Sequence, residues 1–460
     1  MGKTVVAEES VSDYVSSLYG TQTWRTGLIL GQMGNQKYHV VHLTRTPEKT
    51  DSEGREEDAA PSKVKPSSPD KIDESWFIEH ARQVSRMLVG GVDIIGVFIF
   101  GPPDMLSKAQ PKIRQLIYSL YKATYLRFSA FFDPEDLVHN RVILQICSKT
   151  KKVTCRTLDM SDNKSTAQPA EYKYQSFLSK WNTLNTKISL DYKFNVPVKM
   201  EKADLNTKIM EGLQSYLQDI SSSVCTINGQ LLPDDQLLVP SDKQTKSSQL
   251  GSCMTVDVYL NKPFLKESKK PKESKSCGVM KVVGSFHCTA CLNQKTTIRE
   301  AIQKIKYDII RSVISRCEVL CDDILDAQED NSPESPIENI WTCPRRVFIP
   351  LGKTPVRFCD YVFQDETMQD SLDRISELLD MNSREDEVQS LETMTTNQHL
   401  EEIKEDLQSR QEMERDSSEE QSDSSTKTSS VSARILGVVV GLATAVVATG
   451  VAFFWGEQAS

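Results

Sequence analysis

Apolar side chains return along this chain with two periods, and the changes from one to the other lay out an α/β architecture. Short apolar runs at 4–7, 24–31 and 38–43 read as strands, the last two joined by Gly34-Asn35-Gln36. Trp76, Phe77, His80, Val84, Met87 and Leu88 recur at three- and four-residue steps behind Asp73, a capping residue. They predict a helix over 75–88 that Gly90-Gly91 ends. Residues 92–100 are apolar almost without a break, as a central strand covered on both faces requires. Pro111 opens a second amphipathic helix with Ile113, Leu116, Ile117, Leu120 and Tyr121 on one stripe. Strands at 141–147 and 152–158 follow around a Ser-Lys-Thr-Lys turn.

A second stretch repeats the theme. Ile188, Leu190, Tyr192, Phe194, Val196 and Val198 alternate, predicting a long half-buried strand. A helix over 203–220, strands at 224–227, 254–260 and 277–291, and a long helix over 297–325 come next. A hairpin at 346–351 and 356–363 and a helix over 366–379 close the patterned region. The expected fold class is therefore α/β (α+β) in two units. Residues 1–165 form a sheet-and-helix domain around a disordered insertion at 46–73, and residues 172–380 form a second with a flexible Lys/Ser/Pro linker at 262–275. The order strand, helix, hairpin occurs at 92–158 and again at 279–363, where RVILQICSKTKKVTCR is loosely matched by RVFIPLGKTPVRFC. That is either a degenerate repeat or the ordinary recurrence of this order in α/β chains.

Beyond residue 380 the pattern stops. Residues 381–432 hold 14 Asp or Glu against five Lys or Arg, with no aromatic side chain, and predict an acidic, disordered tether. The run ILGVVVGLATAVVATGVAFFW, from Ile435 to Trp455, is 21 residues without a charge. A helix of that length covers roughly 30 Å, the hydrocarbon thickness of a bilayer. This predicts a C-terminal transmembrane anchor over 433–455. Gly437, Gly441 and Ala445 place small residues on one face of that helix, a surface suited to close helix packing. Lys427 and Arg434 precede the run and Glu457 follows it, so the bulk of the chain is expected in the cytosol. The eleven cysteines are then thiols rather than a disulfide framework. The formal net charge of −9 equals that of the tether, which leaves the rest near neutral and argues against nucleic acid as a partner.

Candidate chemistry is sparse. His287, Cys288 and Cys291, with Cys317 and Cys321, have the letters of a metal site, but Cys317 and Cys321 continue the apolar stripe of a helix. Both pairs are expected in the core, with no metal and no cofactor. Gly31-Gln-Met-Gly34 and Gly352-Lys353-Thr354 do not complete a phosphate loop and read as turns. The strand that ends Gly96-Val-Phe-Ile-Phe-Gly101-Pro102-Pro-Asp104 resembles the MPN domain. MPN metalloproteases end that strand in Gly-Trp-Tyr-His-Ser-His-Pro, and aligning Gly96 and Pro102 puts Ile99 and Gly101 where the two histidines stand. The resemblance implies an MPN-like domain lacking its metal ligands; the motif alone is also that of a strand with a proline stop. The apolar face of the helix over 75–88 is wider than one strand-facing stripe needs, which marks Trp76, Phe77 and Met87 as candidate partner-interface residues; the alternative is that Trp76, Phe77, His80, Val84, Met87 and Leu88 are all core.

Several blocks together carry a family resemblance: MGKTVVAEESVSDY, TWRTGLILGQ, HARQVSRMLVGGVDIIGVFI, VTCRTLD, AEYKYQS, RRVFIPL and CDYVFQDET, closed by the apolar run. The chain resembles the odr-four-like family, membrane factors that help odorant and other G-protein-coupled receptors mature and leave the endoplasmic reticulum. The resemblance implies a non-enzymatic, tail-anchored, single-pass adaptor of the endoplasmic reticulum membrane. It also implies, as partners, such receptors and the cysteine protease of the ubiquitin-fold-modifier pathway. The competing expectation is a membrane-tethered cysteine hydrolase drawing on Cys147, Cys155, Cys288 or Cys359.

Overall fold

The computed structural model describes residues 3–20, 24–34, 37–51, 62–64, 68–162, 164–238, 251–260, 276–329, 340–392, 434–436 and 446–450. Strands β1 (Thr4–Ala7), β2 (Arg25–Met33), β3 (Lys37–Arg45), β4 (Asp93–Gly101), β5 (Asn140–Cys147), β6 (Val153–Asp159) and β7 (Glu171–Tyr174) build the first sheet. Their order is β7-β1-β3-β2-β4-β5-β6, with Gln168–Pro169 on the outer edge. Every residue of β4 is buried, because helices cover both faces of the sheet. Successive side chains of a strand point to opposite faces. Phe98 and Phe100 accordingly meet α1 (Glu9–Leu18), while Val97 and Ile99 meet α2 (Glu74–Arg86) and α3 (Gln110–Leu120). The Asp73 carboxylate accepts the Trp76 amide at 3.2 Å and fixes where α2 begins.

The second sheet is organised on a long antiparallel ribbon of β8 (Asn182–Pro197) and β11 (Ser276–Leu292), in register from Asn182↔Leu292 to Val196↔Gly278, with a bulge before Pro197↔Ser276. Strand β10 (Cys253–Tyr259) runs parallel to the start of β8 and antiparallel to β9 (Val224–Ile227). Helices α4 (Leu205–Ser222) and α5 (Ile298–Glu329) lie on this sheet. Strands β12 (Arg345–Pro350) and β13 (Arg357–Val362) form a hairpin, followed by α6 (Met368–Leu379), whose first turn carries a Thr367/Asp370 capping box.

The two sheets join at the paired glycines Gly90 and Gly91, which follow α2 after its cap at Met87. Gly90 donates to the Thr289 carbonyl at 3.0 Å and accepts from the Cys291 amide at 2.8 Å, so backbone meets backbone. A Cβ on Gly90 would lie 2.5 Å from the Lys304 carbonyl oxygen, and Gly91 sits at φ +80°. Only glycine satisfies both positions.

Several expectations are corrected. Phe348, Phe358, Ile375 and Leu379 belong to the same core as Phe77 and Leu88, so the hairpin and α6 pack with the first sheet rather than within the second unit. Strand, helix and hairpin do recur in order. Among the described residues, however, β12 pairs with β13 and Gln389–Ser390 and not with β11, unlike the β4–β5 pairing of the first copy. The insertion has an ordered base: Lys49–Asp51 pairs with Ser62–Val64, and Glu48 lies 3.0 Å from Arg25. The expected tether is docked as far as Glu392, which is buried. The linker at 262–275 lies outside the described residues.

The expected anchor helix also differs where it is described. Arg434–Leu436 and Val446–Gly450 are extended, and Val446–Gly450 pairs with β11 from Gly278↔Gly450 to Lys281↔Val447. A run of Val, Ala and Thr suits a strand as well as a helix, and a sheet edge supplies the backbone hydrogen bonds. Ile435 lies opposite Val279 and Thr449, while Gly437, Gly441, Ala445 and Trp455 lie outside the described residues. No helix among the described residues is long and apolar enough to cross a membrane.

Candidate interaction site

Helix α2 presents one stripe away from the sheet, and α6 with the end of β13 builds a wall facing it. Between them lies a groove of about 440 Å³. Its apolar lining is Trp76, Met87, Val319, Phe363 and Leu378, and its charged lining includes Glu79, Arg86, Asp360, Glu366, Arg374 and Glu377. Trp76 is half-buried, and its indole N–H donates to the Pro47 carbonyl at 2.9 Å, which holds the ring at the groove's edge. The three residues singled out on α2 therefore divide. Phe77 is fully buried in the core beneath the helix, Met87 is buried while lining the groove floor, and Trp76 alone offers a partly open face. Phe77 is thus corrected from interface to core: it points to the sheet, where the neighbouring Trp76 does not.

The groove wall is held by carbonyl capping. His80 Nε2 donates to the Leu378 carbonyl at 3.0 Å, His42 Nε2 to that of Leu379 at 2.7 Å, and Thr44 Oγ1 to that of Leu378 at 2.8 Å. Asp380 follows in a left-handed conformation at φ +53° and binds the Arg45 guanidinium and the Tyr14 hydroxyl. Three side chains of the first sheet and its helices thus satisfy carbonyls that the end of α6 leaves free. Burial pushes His80 down to about 4 and lowers His42 too. Against the burial that would raise it, the hydrogen bonds from Arg45 and Tyr14 hold the Asp380 carboxyl low.

These shifts share one sign. Near pH 6.5 the unfolded chain takes up an imidazole proton that His80 in the folded chain refuses until about pH 4, and the lowered His42 acts in the same direction. Stability is therefore whole above pH 6.5 and falls as the pH drops, and the depressed carboxyl of Asp380 adds a loss in the same direction. At pH 5 a fully refused proton costs about 2 kcal/mol. Urea unfolding at pH 7 and pH 5 should show a loss of that order, which His80→Gln reduces; a stability that is flat with pH in both proteins contradicts this.

A second polar cluster lies in the interior. Arg346 forms a two-pronged pair with Asp308 at 2.8 and 2.9 Å, and Arg316 donates from Nη2 to both oxygens of Glu392 at 2.7 and 2.8 Å, all four side chains being buried. Arg311 lies 3.4 Å from Asp93. The charge pattern along the sequence does not reveal these pairs, because the partners lie on different elements, 38 residues apart for Asp308 and Arg346 and 76 for Arg316 and Glu392.

The thiols are dispersed. All eleven cysteines are free. Burial raises Cys155 to about 12 and raises Cys288 and Cys359 as well. Cys147 goes the other way: burial opposes the change, but the Thr150 hydroxyl and the amides of Thr150 and Lys149 hold its thiol below the usual range. Ile99 is buried opposite Thr26 and Gln145, and Gly101 packs against Trp24, where a Cβ would meet Trp24 Cβ at 3.2 Å. Among the described residues no three His, Cys, Asp or Glu side chains gather in a way that could hold a metal ion.

A family model described as "ODR4-like: Odorant response abnormal 4-like" matches residues 27–390. The mouse "Protein odr-4 homolog" is 32% identical over 462 residues, spanning 99% of each chain. The chicken protein of the same description is 32% identical over 404 residues, covering 86% of this chain and 88% of its own. Among solved structures, a crystal structure of UfSP from Caenorhabditis elegans matches with a TM-score of 0.41 and 8% identity. That match covers 83% of this chain and 57% of the other, and is too distant to carry fold or function across.

Proposed function

Since the chain belongs to the odorant response abnormal 4-like family, we propose that it is a non-enzymatic, tail-anchored adaptor of the endoplasmic reticulum. It assists maturation and trafficking of G-protein-coupled, odorant-type receptors, and it brings the cysteine protease of the ubiquitin-fold-modifier pathway to that membrane. The observation that carries the proposal is the family match across both sheets, residues 27–390. Two features support an adaptor over a hydrolase. Three of the four candidate nucleophiles are buried thiols pushed up in pKa, whereas a nucleophilic thiol needs its pKa lowered. Ile99 and Gly101, aligned with the MPN histidines, have no lone pair to offer a metal, which supports a metal-free MPN-like scaffold.

The test is receptor delivery in cells lacking the protein. Wild-type chain restores surface receptor and co-precipitates the protease; restoration without any co-precipitated protease removes that half of the proposal. A fast, single-site thiol probe reaction at Cys147, with loss of function in Cys147→Ala, would favour the hydrolase instead.

Membrane attachment has its own prediction. In hydrocarbon a lone segment must satisfy its backbone internally, so the apolar run, of which Val446–Gly450 pairs with a strand edge here, becomes a helix in lipid. Replacing Val440 and Ala445 by Arg costs about 2.5 to 3.5 kcal/mol at each position. The double variant should move to the cytosolic fraction. If it stays with membranes after a carbonate wash, something other than this run holds the protein there.

A further inference from the structure

The groove beside α2 has an apolar floor and an acidic rim, and the two features together specify an occupant. Its stripe on α2 runs from Trp76 through Glu79, His80 and Gln83 to Arg86 and Met87, about three helical turns. Its cations are already engaged. Arg374 lies 2.9 Å from Asp360 and binds Glu366, and Arg86 lies 3.5 Å from Glu318 and 3.2 Å from Asp322. The carboxylates are not matched in number. Glu377 is exposed and has no ion pair among the described residues, and Glu79 has only a loose surface pair with Arg82 at 3.5 Å. On α5, next to Val319, Asp322 lies 3.2 Å from the groove's Arg86 and Asp323 is close enough to the groove's Glu366 to feel its charge, so the acidic rim continues onto this helix. Partial desolvation and then the charges of Asp365, Asp326 and Glu366 push the Asp323 carboxyl up, a sign of crowded negative charge.

We propose that this groove binds a basic, amphipathic peptide segment, with apolar side chains on the Trp76–Met87 floor and Lys or Arg against Glu79, Glu377 and the α5 carboxylates. The proposal rests on the receptor-trafficking reading for its source: cytosolic flanks of membrane-spanning segments carry an excess of Lys and Arg. A client's juxtamembrane segment has the required composition and would be presented to a cytosolic groove tethered at the same membrane. Apolar contacts would supply most of the affinity, and the acidic rim orientation and rejection of acidic segments. The engaged arginines matter to specificity, since Asp360 and Glu366 keep Arg374, and Glu318 and Asp322 keep Arg86, from attracting an anionic ligand.

The experiment uses the full-length protein in non-ionic detergent, with empty micelles as the blank. The probe is a blocked, helical Leu/Lys peptide of three turns, and the control has the same sequence with Glu for every Lys. The Leu/Lys peptide should bind, weaken as salt rises, and perturb tryptophan fluorescence; the Leu/Glu peptide should not bind. Trp76→Ala should weaken binding about 30-fold. The pair Glu79→Lys and Glu377→Lys should weaken it at least tenfold with an unchanged melting temperature, because both side chains face solvent. Equal binding of the two peptides, or binding indifferent to both variants, overturns the proposal. The same charge-reversed variant, introduced into cells lacking the protein, separates the readings. Receptor delivery that needs the protein while the peptide fails to bind defeats the groove alone. Peptide binding as stated with no receptor needing the protein defeats the trafficking source and leaves the groove's chemistry standing.

Discussion

Arg346→Ala should destabilise the protein by about 3 to 5 kcal/mol, the cost of leaving one member of a buried ion pair unpaired. Arg346 is wholly buried and stands where three elements meet. Its two terminal nitrogens reach both oxygens of Asp308 on α5, and Nη2 also donates to the Leu88 carbonyl after α2 at 3.2 Å. Its guanidinium lies 5.1 Å from the Phe348 ring centroid on its own hairpin. Without it, Asp308 keeps the Thr289 amide at 2.9 Å and Arg311 at 3.8 Å, too little to replace a two-pronged partner. The double variant Asp308→Leu, Arg346→Met should recover much of the loss, since two apolar side chains need no partner in the same space. Urea unfolding of the three proteins checks this. A loss below about 1 kcal/mol for Arg346→Ala is the size expected of a solvent-screened surface pair and would rule out the buried reading.

Periodicity reports that a face is buried and not what it is buried against, and this divides what the sequence makes legible from what it does not. The stripe of α2 was readable from Trp76 to Leu88, and so were the continuous run of β4 and the alternation of β8. The docking of β12, β13 and α6 onto the first sheet was not. It involves single polar residues that reach carbonyls 258 to 337 positions away in sequence: Arg346 to Leu88, His80 to Leu378 and His42 to Leu379. Gly90-Gly91 was visible as a helix stop; its use as the seam between sheets needed the neighbouring backbone. On α2, Trp76 and Phe77 are adjacent aromatic residues with equal claims by composition. They separate only because the helix turns about 100° between them, one to the groove and one to the core. The C-terminal run shows the same limit, since Val446 to Gly450 suits a strand edge in water and a helix in lipid.

Glu392→Ala should cost a similar 3 to 5 kcal/mol, although Glu392 lies in a segment whose composition is that of a tether. Its carboxylate accepts two hydrogen bonds from Arg316, one from the His287 amide at 2.8 Å and one from the Arg346 amide at 2.8 Å. The buried Arg316 loses its charge partner when Glu392 goes, and two interior amides of β11 and β12 lose their acceptor. Glu392→Gln keeps one acceptor oxygen and removes the charge, so an intermediate loss of about 1 to 3 kcal/mol is expected. The same reasoning places the start of the tether. A chain ending just after Met394 should unfold at the same urea concentration as a chain ending at Ser432, because everything that closes the interior is present. A chain ending at Met381 should unfold earlier, by about as much as Glu392→Ala, and should lose the Gln389–Ser390 edge of β12 as well. If the Met381 and Met394 ends give equal stability, the segment from 382 to 392 contributes nothing to the fold and Arg316 is satisfied some other way. If they differ as stated, Glu392 is a structural plug, and the fold extends to it through a segment whose composition is that of a tether.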